Sequence, residues 1–242
     1  MNTLVPVPRR SVRRMRPAAA GAARPDRRHS ILLAAEKLFA QQGYHAVTIR
    51  QIAEEAGVPL ALVGYYFGPK HELFHAIFEH WNHAIEERLA SLAAVHIDPG
   101  DARTLPRIIE AFSRPVLALR ASAEGEYYAL LVARELHYAT DETDRVLRSF
   151  FDPLAHAFID ALHAAMPHAT RGEVAWGYQF ALGALQHHLT DSRVERLSRG
   201  GNRRNDPAAA ALLLNFIVGG LRAALPKPRT VRNKSLPRRQ TP

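Results

Sequence analysis

Histidine and glutamate side chains recur at helical spacing in one stretch of the chain, where they could ligate a metal ion. His71, His75 and Glu79 are four residues apart, so a helix would bring them to one face. Glu72 and His75 form a Glu-x-x-His pair, the spacing used in di-metal helical bundles. Such a centre needs a second pair of this kind, and the sequence contains none. We therefore interpret these residues as helix surface, and we predict no metal site and no cofactor.

Motifs for the common enzyme reactions are missing from the sequence. The chain has no cysteine, which excludes disulfide frameworks, thiolate zinc sites, iron–sulfur clusters and cysteine nucleophiles. It also has no glycine-rich phosphate loop, no nucleophile elbow and no carboxylate pair that can be placed on one face. The sequence therefore predicts a protein that is not an enzyme.

The basic charge of the chain is confined to its two ends. Of 242 residues, 32 are Lys or Arg and 23 are Asp or Glu, which gives a net charge of +9. Residues 1–28 carry +7 and residues 226–242 carry +6, so residues 29–225 carry −4. Both ends are rich in Arg and Pro without an amphipathic period, and we expect disordered tails at 1–26 and 226–242. Translation from Met15 would shorten the first.

No run of about 18 uncharged apolar residues occurs, and no continuous apolar segment follows the N-terminal arginines. We therefore expect no membrane span, no secretory signal and a cytoplasmic location. The basic tails leave two interpretations open, which are solvated segments and segments that contact nucleic acid or an anionic surface.

The middle of the chain has apolar residues at intervals of three and four, which predicts an all-α fold. A first helix ends at Gly43, Thr48 is the expected N-cap of a second, and a third covers 60–67. We predict one long helix at 70–94. Further helices are expected at 101–122, 125–138, 142–166, 171–189 and 207–225, with a mobile linker at 191–206.

The second and third helices have the dimensions of a helix-turn-helix. Each has about eight residues, and Gly57 supplies the turn between them. Ala53 is small at the expected crossing, and Val63 gives the third helix an apolar inner face. Spacing of this kind is a moderate signal, because other helical hairpins share it.

The surrounding residues make the motif more specific. The pattern Ile31–Phe39, Gly43, Thr48-x-x-x-Ile-Ala-x-x-Ala-Gly-Val, then Tyr65-Tyr-Phe-Gly-x-Lys70 resembles the TetR family of bacterial transcriptional regulators over residues 27–80. The resemblance implies a helix-turn-helix DNA-binding domain at 27–75. A larger helical domain at 76–225 would bind a small-molecule effector and form a homodimer. It also implies a repressor that binds a near-palindromic operator in double-stranded DNA, although activation stays open.

The resemblance places the recognition helix at 60–67. Leu60, Ala61 and Gly64 are expected nearest the bases, where they offer apolar or backbone contacts. Relatives usually have Asn where this chain has Gly64 and His where it has Tyr66, so their operator preference does not transfer.

The expected phosphate contacts come from polar side chains around that helix. Tyr65 and Tyr66 offer hydroxyls, although one of two adjacent tyrosines normally packs inward. Arg50 suits a base or a phosphate, and Lys70 begins the fourth helix, where charge and free N–H groups favour phosphate. Residues 29–75 are nearly neutral, so we hypothesise that the N-terminal arginines, starting from Arg24, Arg27 and Arg28, add phosphate or minor-groove contacts. Deletion of 1–23, which removes the arginines further out on this arm, would then lower the affinity for DNA and its salt dependence.

The C-terminal half contains the segments Leu131-Val-Ala-Arg-Glu135, Phe150-Phe-x-Pro153-Leu, Phe180-x-Leu-Gly183-Ala-Leu and Phe216-x-x-Gly219-Gly-Leu221. In these segments it is similar to a regulator branch that includes fatty-acyl-responsive members, which implies an apolar or acyl effector. The apolar and aromatic residues of this half would line a ligand pocket or form ordinary core. Arg134 and His137 could receive an anionic group of a ligand. Small residues in the last two helices suit a dimer interface or an internal core. The pocket candidates are Phe112, Leu119, Tyr127, Tyr128, Leu131, Arg134, His137, Phe151, Phe158, Trp176, Phe180 and His187.

Two other classes of protein remain as alternatives to a regulator. One is a helical metal-binding protein based on the His71 region, and the other is a protein that binds anionic membrane surfaces through its basic tails. The second would bind anionic lipid even when the recognition helix is disrupted.

Overall fold

The computed structural model describes residues 26–135, 137, 140–204 and 206–226. These residues form helices and connecting turns and contain no strand, as the apolar spacing predicts. The expected tails fall outside the described residues, except for Asp26 and Pro226. The first four helices are α1 (Arg27–Gln42), α2 (Ile49–Glu55), α3 (Leu60–Phe67) and α4 (Lys70–His80).

The remaining helices form the larger part of the molecule. They are α5 (Asn82–Ala93), α6 (Thr104–Ala121), α7 (Glu126–Glu135), α8 (Asp141–Val146), α9 (Asp152–Ala165), α10 (Arg171–Thr190), α11 (Val194–Leu197) and α12 (Ala209–Ala224). A single turn of π-helix, Leu147–Phe151, joins α8 to α9. The segment expected as a linker at 191–206 contains the short helix α11.

The prediction of one helix at 70–94 is wrong, because the chain breaks at Trp81. The φ and ψ angles of Trp81 are −92° and 9°, and its carbonyl accepts a tight-turn hydrogen bond from the N–H of Ala84. Its indole Nε1 donates to Glu36 Oε2 on α1 at 2.7 Å. The tertiary contacts of the Trp81 indole therefore stabilise the break between α4 and α5, where the sequence has no glycine or proline.

The expected single helix at 142–166 is also divided. Pro153 has no N–H to donate, and it lies at the start of α9 directly after the π-helical turn. A turn of π-helix holds about one residue more than a turn of α-helix, so it accommodates an additional residue before α9 begins.

The buried apolar residues form two clusters that share α7. The first cluster joins α1–α4 with Tyr128 and Leu131 of α7. The second joins α5, α6, α9, α10 and α12 with Ala133 of α7. Helix α7 is therefore packed between the helix-turn-helix segment and the rest of the molecule.

Candidate functional site

The α2–turn–α3 unit is fixed by local hydrogen bonds that its sequence specifies. The N–H of Thr48 donates to Gln51 Oε1 at 2.8 Å, and the N–H of Gln51 donates to Thr48 Oγ1 at 3.3 Å, which together form a capping box. Gly57 adopts a φ of +64°, which side-chain-bearing residues avoid. Ala53 and Val63 are buried between the two helices. The outer side of α3 is thereby held in a defined orientation.

The outer side of α3 is open to solvent. Tyr65 is 78% exposed and Leu60 is 48% exposed, and Ala61 and Gly64 are exposed beside them. Tyr66 is at the margin of exposure and its ring lies edge-on to Tyr65 at 5.1 Å. Both tyrosines therefore stand at the surface, and α3 offers hydroxyls, apolar side chains and a bare backbone at Gly64.

The cations near α3 differ in how free they are. Arg50 is exposed, and the described residues give it no hydrogen-bond or ion-pair partner. Lys37 is tied to Glu55 at 2.5 Å, a contact that raises the pKa of Lys37. Arg28 lies over the Phe67 ring, 4.9 Å from its centroid. Of these three cations, Arg50 is therefore the most available to bind DNA.

Lys70 is only part-exposed. Its Nζ lies 4.3 Å from the centroid of the Tyr44 ring, and burial lowers the pKa of its ammonium group. To contact a phosphate, the Lys70 side chain must leave the Tyr44 ring.

A cavity of about 560 Å³ lies among α5, α6, α7, α9 and α10. Its volume is in the range of small-molecule sites. Of the residues that the sequence suggests for a pocket, four line it, which are Leu119, Tyr128, His137 and Phe151.

The other eight pocket candidates do not line this cavity, and their role in ligand binding stays a prediction. Phe112, Leu131 and Phe158 are buried core residues outside the lining. Tyr127 lies against the first core cluster, and His187 pairs with Asp191 at 3.0 Å. Arg134, Trp176 and Phe180 have other contacts, described next.

Arg134 and Glu135 of α7 hold the end of α1. Arg134 Nη1 donates to the carbonyls of Ala40 and Gln41 at 2.7 and 3.0 Å, and so caps acceptors that have no partner within the helix. Glu135 accepts the N–H of Tyr44 at 3.2 Å. Arg134 is therefore directed away from the cavity and joins the two halves of the molecule.

Several polar residues of the cavity were not predicted from the sequence, and two of them are buried deeply enough to matter for a ligand. Arg88 of α5 and Tyr178 of α10 both line the cavity. A signal for Arg88 exists, because it stands within the apolar stripe of Ile85, Leu89 and Leu92, where a solvent-exposed arginine would not be expected.

The cavity is connected to α1 through aromatic contacts. The Tyr128 ring stacks on the Trp81 ring at 5.1 Å, with an interplanar angle of 14°. Trp81 in turn donates to Glu36, which is buried and also accepts a hydrogen bond from the backbone of Tyr128. Burial raises the pKa of Glu36 to about 7.

A second apolar surface lies on α10 and α12. Trp176 and Phe180 are each about two-thirds exposed and stack at 5.9 Å, and Leu212 and Phe216 are also exposed. Together with Gly220 and their neighbours they border a groove of about 570 Å³. We call this surface the α10–α12 face.

The described residues bear on the metal-binding alternative, whereas the basic tails on which the membrane-surface alternative depends lie outside them. His75 lies 3.3 Å from Glu79 and His71 lies 3.4 Å from Glu72, but no group of three or more potential ligands in the described part could hold a metal ion. Among the helices described, none is long and apolar enough to span a membrane.

Comparison with known proteins gives matches to both halves of the chain. A model described as "Bacterial regulatory proteins, tetR family" matches residues 31–77, and one described as "Tetracyclin repressor-like, C-terminal domain" matches residues 110–220. The HTH-type transcriptional regulator BetI of Brucella abortus is 38% identical over 194 residues, which cover 80% of this chain and 91% of that protein. The HTH-type transcriptional regulator HbdR of Aromatoleum sp. is 52% identical over 48 residues, which cover 20% of this chain and only 21% of HbdR.

Solved structures share the fold at low sequence identity. The fatty acid degradation regulator FadR of Bacillus halodurans has a TM-score of 0.57 and 16% identity, covering 83% of this chain and 98% of that one. FadR of Bacillus subtilis in complex with stearoyl-CoA has a TM-score of 0.53 and 17% identity, covering 79% and 98%.

Proposed function

This chain belongs to the TetR family of bacterial transcriptional regulators, and we propose that it is a homodimeric, ligand-responsive repressor. In this proposal the outer side of α3 enters the major groove of an operator, and a small molecule in the α5–α10 cavity releases the DNA. The observation that carries the proposal is the solvent-exposed outer side of α3, held by the Thr48 capping box on a family-typical scaffold. Members of the family are regulators rather than enzymes.

The proposed DNA contacts are divided by chemistry. Leu60, Ala61 and Gly64 would approach base edges, where apolar contact with thymine methyl groups is available. Arg50, Tyr65 and the neighbours Tyr66 and Lys70 would bind phosphates or, for Arg50, a guanine edge. The absence of an internal partner for Arg50 among the described residues supports its role, because it can bind DNA without breaking an ion pair.

The homodimer is proposed to form through the α10–α12 face. Gly183, Gly219 and Gly220 have open space where a side chain would project, so a second copy could approach their backbones closely. Gly177 differs, because a Cβ there would lie 2.7 Å from Leu221 of the same chain. Large exposed apolar groups next to open glycines favour association of two identical faces.

Release of DNA is proposed to follow from the contacts of α7. The same helix lines the cavity with Tyr128 and binds the end of α1 with Arg134. A ligand that favours another position of α7 would change the separation of the two recognition helices. Only the difference in ligand affinity between the two arrangements shifts the population. An apolar effector suits the lining, and the stearoyl-CoA complex of the Bacillus subtilis relative supports an acyl class.

We propose that the protein acts in the cytoplasm. The test begins with selection of the DNA fragments of the source genome that the protein binds. We expect a near-palindromic site with half-sites about 34–36 Å apart, or a multiple of that distance. Affinity for that site should fall roughly 10-fold in Arg50→Ala and in Tyr65→Ala. The control Arg114→Ala removes an exposed cation of α6, far from α3 in sequence, and should leave affinity unchanged. If no palindromic site is enriched, or if all three variants bind alike, the proposal is wrong.

A further inference from the structure

Arg88 places a guanidinium group in the interior beside the cavity. Its Nη2 donates to the carbonyl of Phe112 at 3.1 Å. The guanidinium carbon lies 5.4 Å from the centroid of the Phe112 ring and 5.7 Å from that of Phe158. These contacts fix the group but leave its Nε buried without a hydrogen-bond partner.

No acidic side chain of the described residues pairs with Arg88. Arg88 is part-exposed, but its Nε is closed to solvent, and desolvation of the guanidinium group without a counter-ion lowers its pKa. Aromatic rings compensate only part of that cost. The position is therefore suited to an anion that arrives from outside the chain.

Two phenol groups lie near the same guanidinium. Tyr128 and Tyr178 both line the cavity and interact electrostatically with Arg88. The Tyr128 hydroxyl is buried and has no hydrogen-bond partner among the described residues. Both groups are donors without an acceptor, and both are closed to solvent in this structure, so a ligand oxygen reaches them only when neighbouring side chains shift.

The rest of the lining separates a polar rim from apolar walls. Ala129, Ala133, Leu154, Leu185 and Leu189 are buried and apolar, and Gln186 is half-buried. The exposed polar residues of the lining are His83, Glu87, Ser122, His137, Asp152 and Gln179. The interior of the cavity thus offers one cation and a largely hydrocarbon surface. One cation matches a single negative charge, and the carboxylates of Glu87 and Asp152 disfavour a polyanion at the rim.

We propose that the cavity binds an apolar monocarboxylate whose carboxylate oxygens accept hydrogen bonds from Arg88 and from the Tyr128 hydroxyl. The inference rests on the proposed function, since it names the effector class of the same cavity. An acyl thioester would bring a neutral carbonyl to Arg88 and a polyanion to the acidic rim. We therefore expect the free acid to be preferred over its coenzyme A ester.

The test is isothermal titration calorimetry of the full chain at pH 7.5 with decanoate, 1-decanol and decanoyl-CoA, and with 4-phenylbutanoate as a second acid. The wild type should bind decanoate, and should bind it more tightly than 1-decanol and decanoyl-CoA. Arg88→Met should weaken binding of the acids roughly 30-fold or more and leave 1-decanol unchanged or tighter. The control Arg114→Met removes an exposed arginine of α6 and should match the wild type.

A second variant keeps the test decisive if Arg88→Met does not fold. Tyr128→Phe removes a hydroxyl that has no partner, so it should retain stability. It should weaken binding of the acids about 5-fold to 10-fold without affecting 1-decanol. The proposal is overturned if the wild type binds neither acid, if it binds decanoate no better than 1-decanol or decanoyl-CoA, or if Tyr128→Phe binds the acids as the wild type does. Because calorimetry uses no DNA, this result is independent of whether an operator is found.

Discussion

The buried carboxyl group of Glu36 makes the stability of the protein depend on pH. Glu36 is 1% exposed, and its pKa is raised from 4.5 to about 7 by burial, against the opposing hydrogen bonds from Trp81 and the Tyr128 backbone. The folded state therefore keeps a proton on Glu36 in a pH range where the unfolded state has lost it. Stability is full below pH 4.5 and falls as the pH rises towards 7, because ionisation then favours the unfolded chain.

The size of the effect follows from the difference in pKa. A shift of one unit corresponds to 1.36 kcal/mol, so the cost of Glu36 approaches about 3 kcal/mol above pH 7. At pH 5 the same cost is below about 1 kcal/mol. Glu36→Gln keeps the shape and an acceptor for the Trp81 indole N–H but cannot ionise. The variant should be more stable than the wild type at pH 8 by about 2–3 kcal/mol and similar to it at pH 5.

Urea unfolding at several pH values between 5 and 8 measures this difference. The free energy of the variant minus that of the wild type cancels the titration of the histidines, provided that protein concentration is held constant. The control Glu124→Gln changes an exposed carboxylate and should give a difference near zero at each pH. A flat difference for Glu36→Gln, or a loss of stability at pH 8, would refute the reasoning.

Two further predictions concern the contacts between helices. Arg134→Met should lower the free energy of unfolding by about 1 kcal/mol, because the carbonyls of Ala40 and Gln41 lose a donor. Urea unfolding measures this change, and an unchanged unfolding midpoint would contradict the prediction. Phe180→Glu should convert the proposed dimer to a monomer, as measured by sedimentation velocity. The control Leu33→Glu changes an exposed leucine of α1 and should leave the dimer intact. A Phe180→Glu variant that stays dimeric would rule out the α10–α12 face as the dimer interface.

The DNA-binding half is largely predictable from sequence because its signals are local. Thr48 caps α2 through a residue three positions away, and Gly43, Gly57 and Gly68 all adopt positive φ angles where helices end. Such signals depend on neighbours in the chain and not on tertiary structure. The apolar spacing also identifies Val63 and Ile52 as core residues, and both are fully buried.

The break at Trp81 and the polar residues of the cavity depend on contacts between distant segments. Nothing near Trp81 in sequence marks the end of a helix, and its hydrogen bond to Glu36 spans 45 residues. Arg134 shares α7 with Tyr128, but its side chain turns to the end of α1, because free carbonyls are available there. Helical periodicity identifies a set of inward positions without stating which neighbour each will meet.

In the proposed mechanism, Tyr128 is the residue at which ligand binding and DNA release are most directly connected. Its side chain lines the cavity, its ring stacks on Trp81 at the junction of α4 and α5, and its backbone N–H is directed at Glu36 of α1. Packed cores respond to a displaced ring by changing between discrete arrangements. A carboxylate that draws the hydroxyl towards Arg88 would have to move the ring along Trp81 or move α7 along α1. Either movement alters the support of α4, which follows α3 directly, and so affects the position of the recognition helix.

To change a 1:99 population to 99:1, the ligand must favour one arrangement by roughly 10⁴-fold, about 5.5 kcal/mol. Neutralising the unpaired Arg88 charge in only one arrangement would supply a large part of that difference.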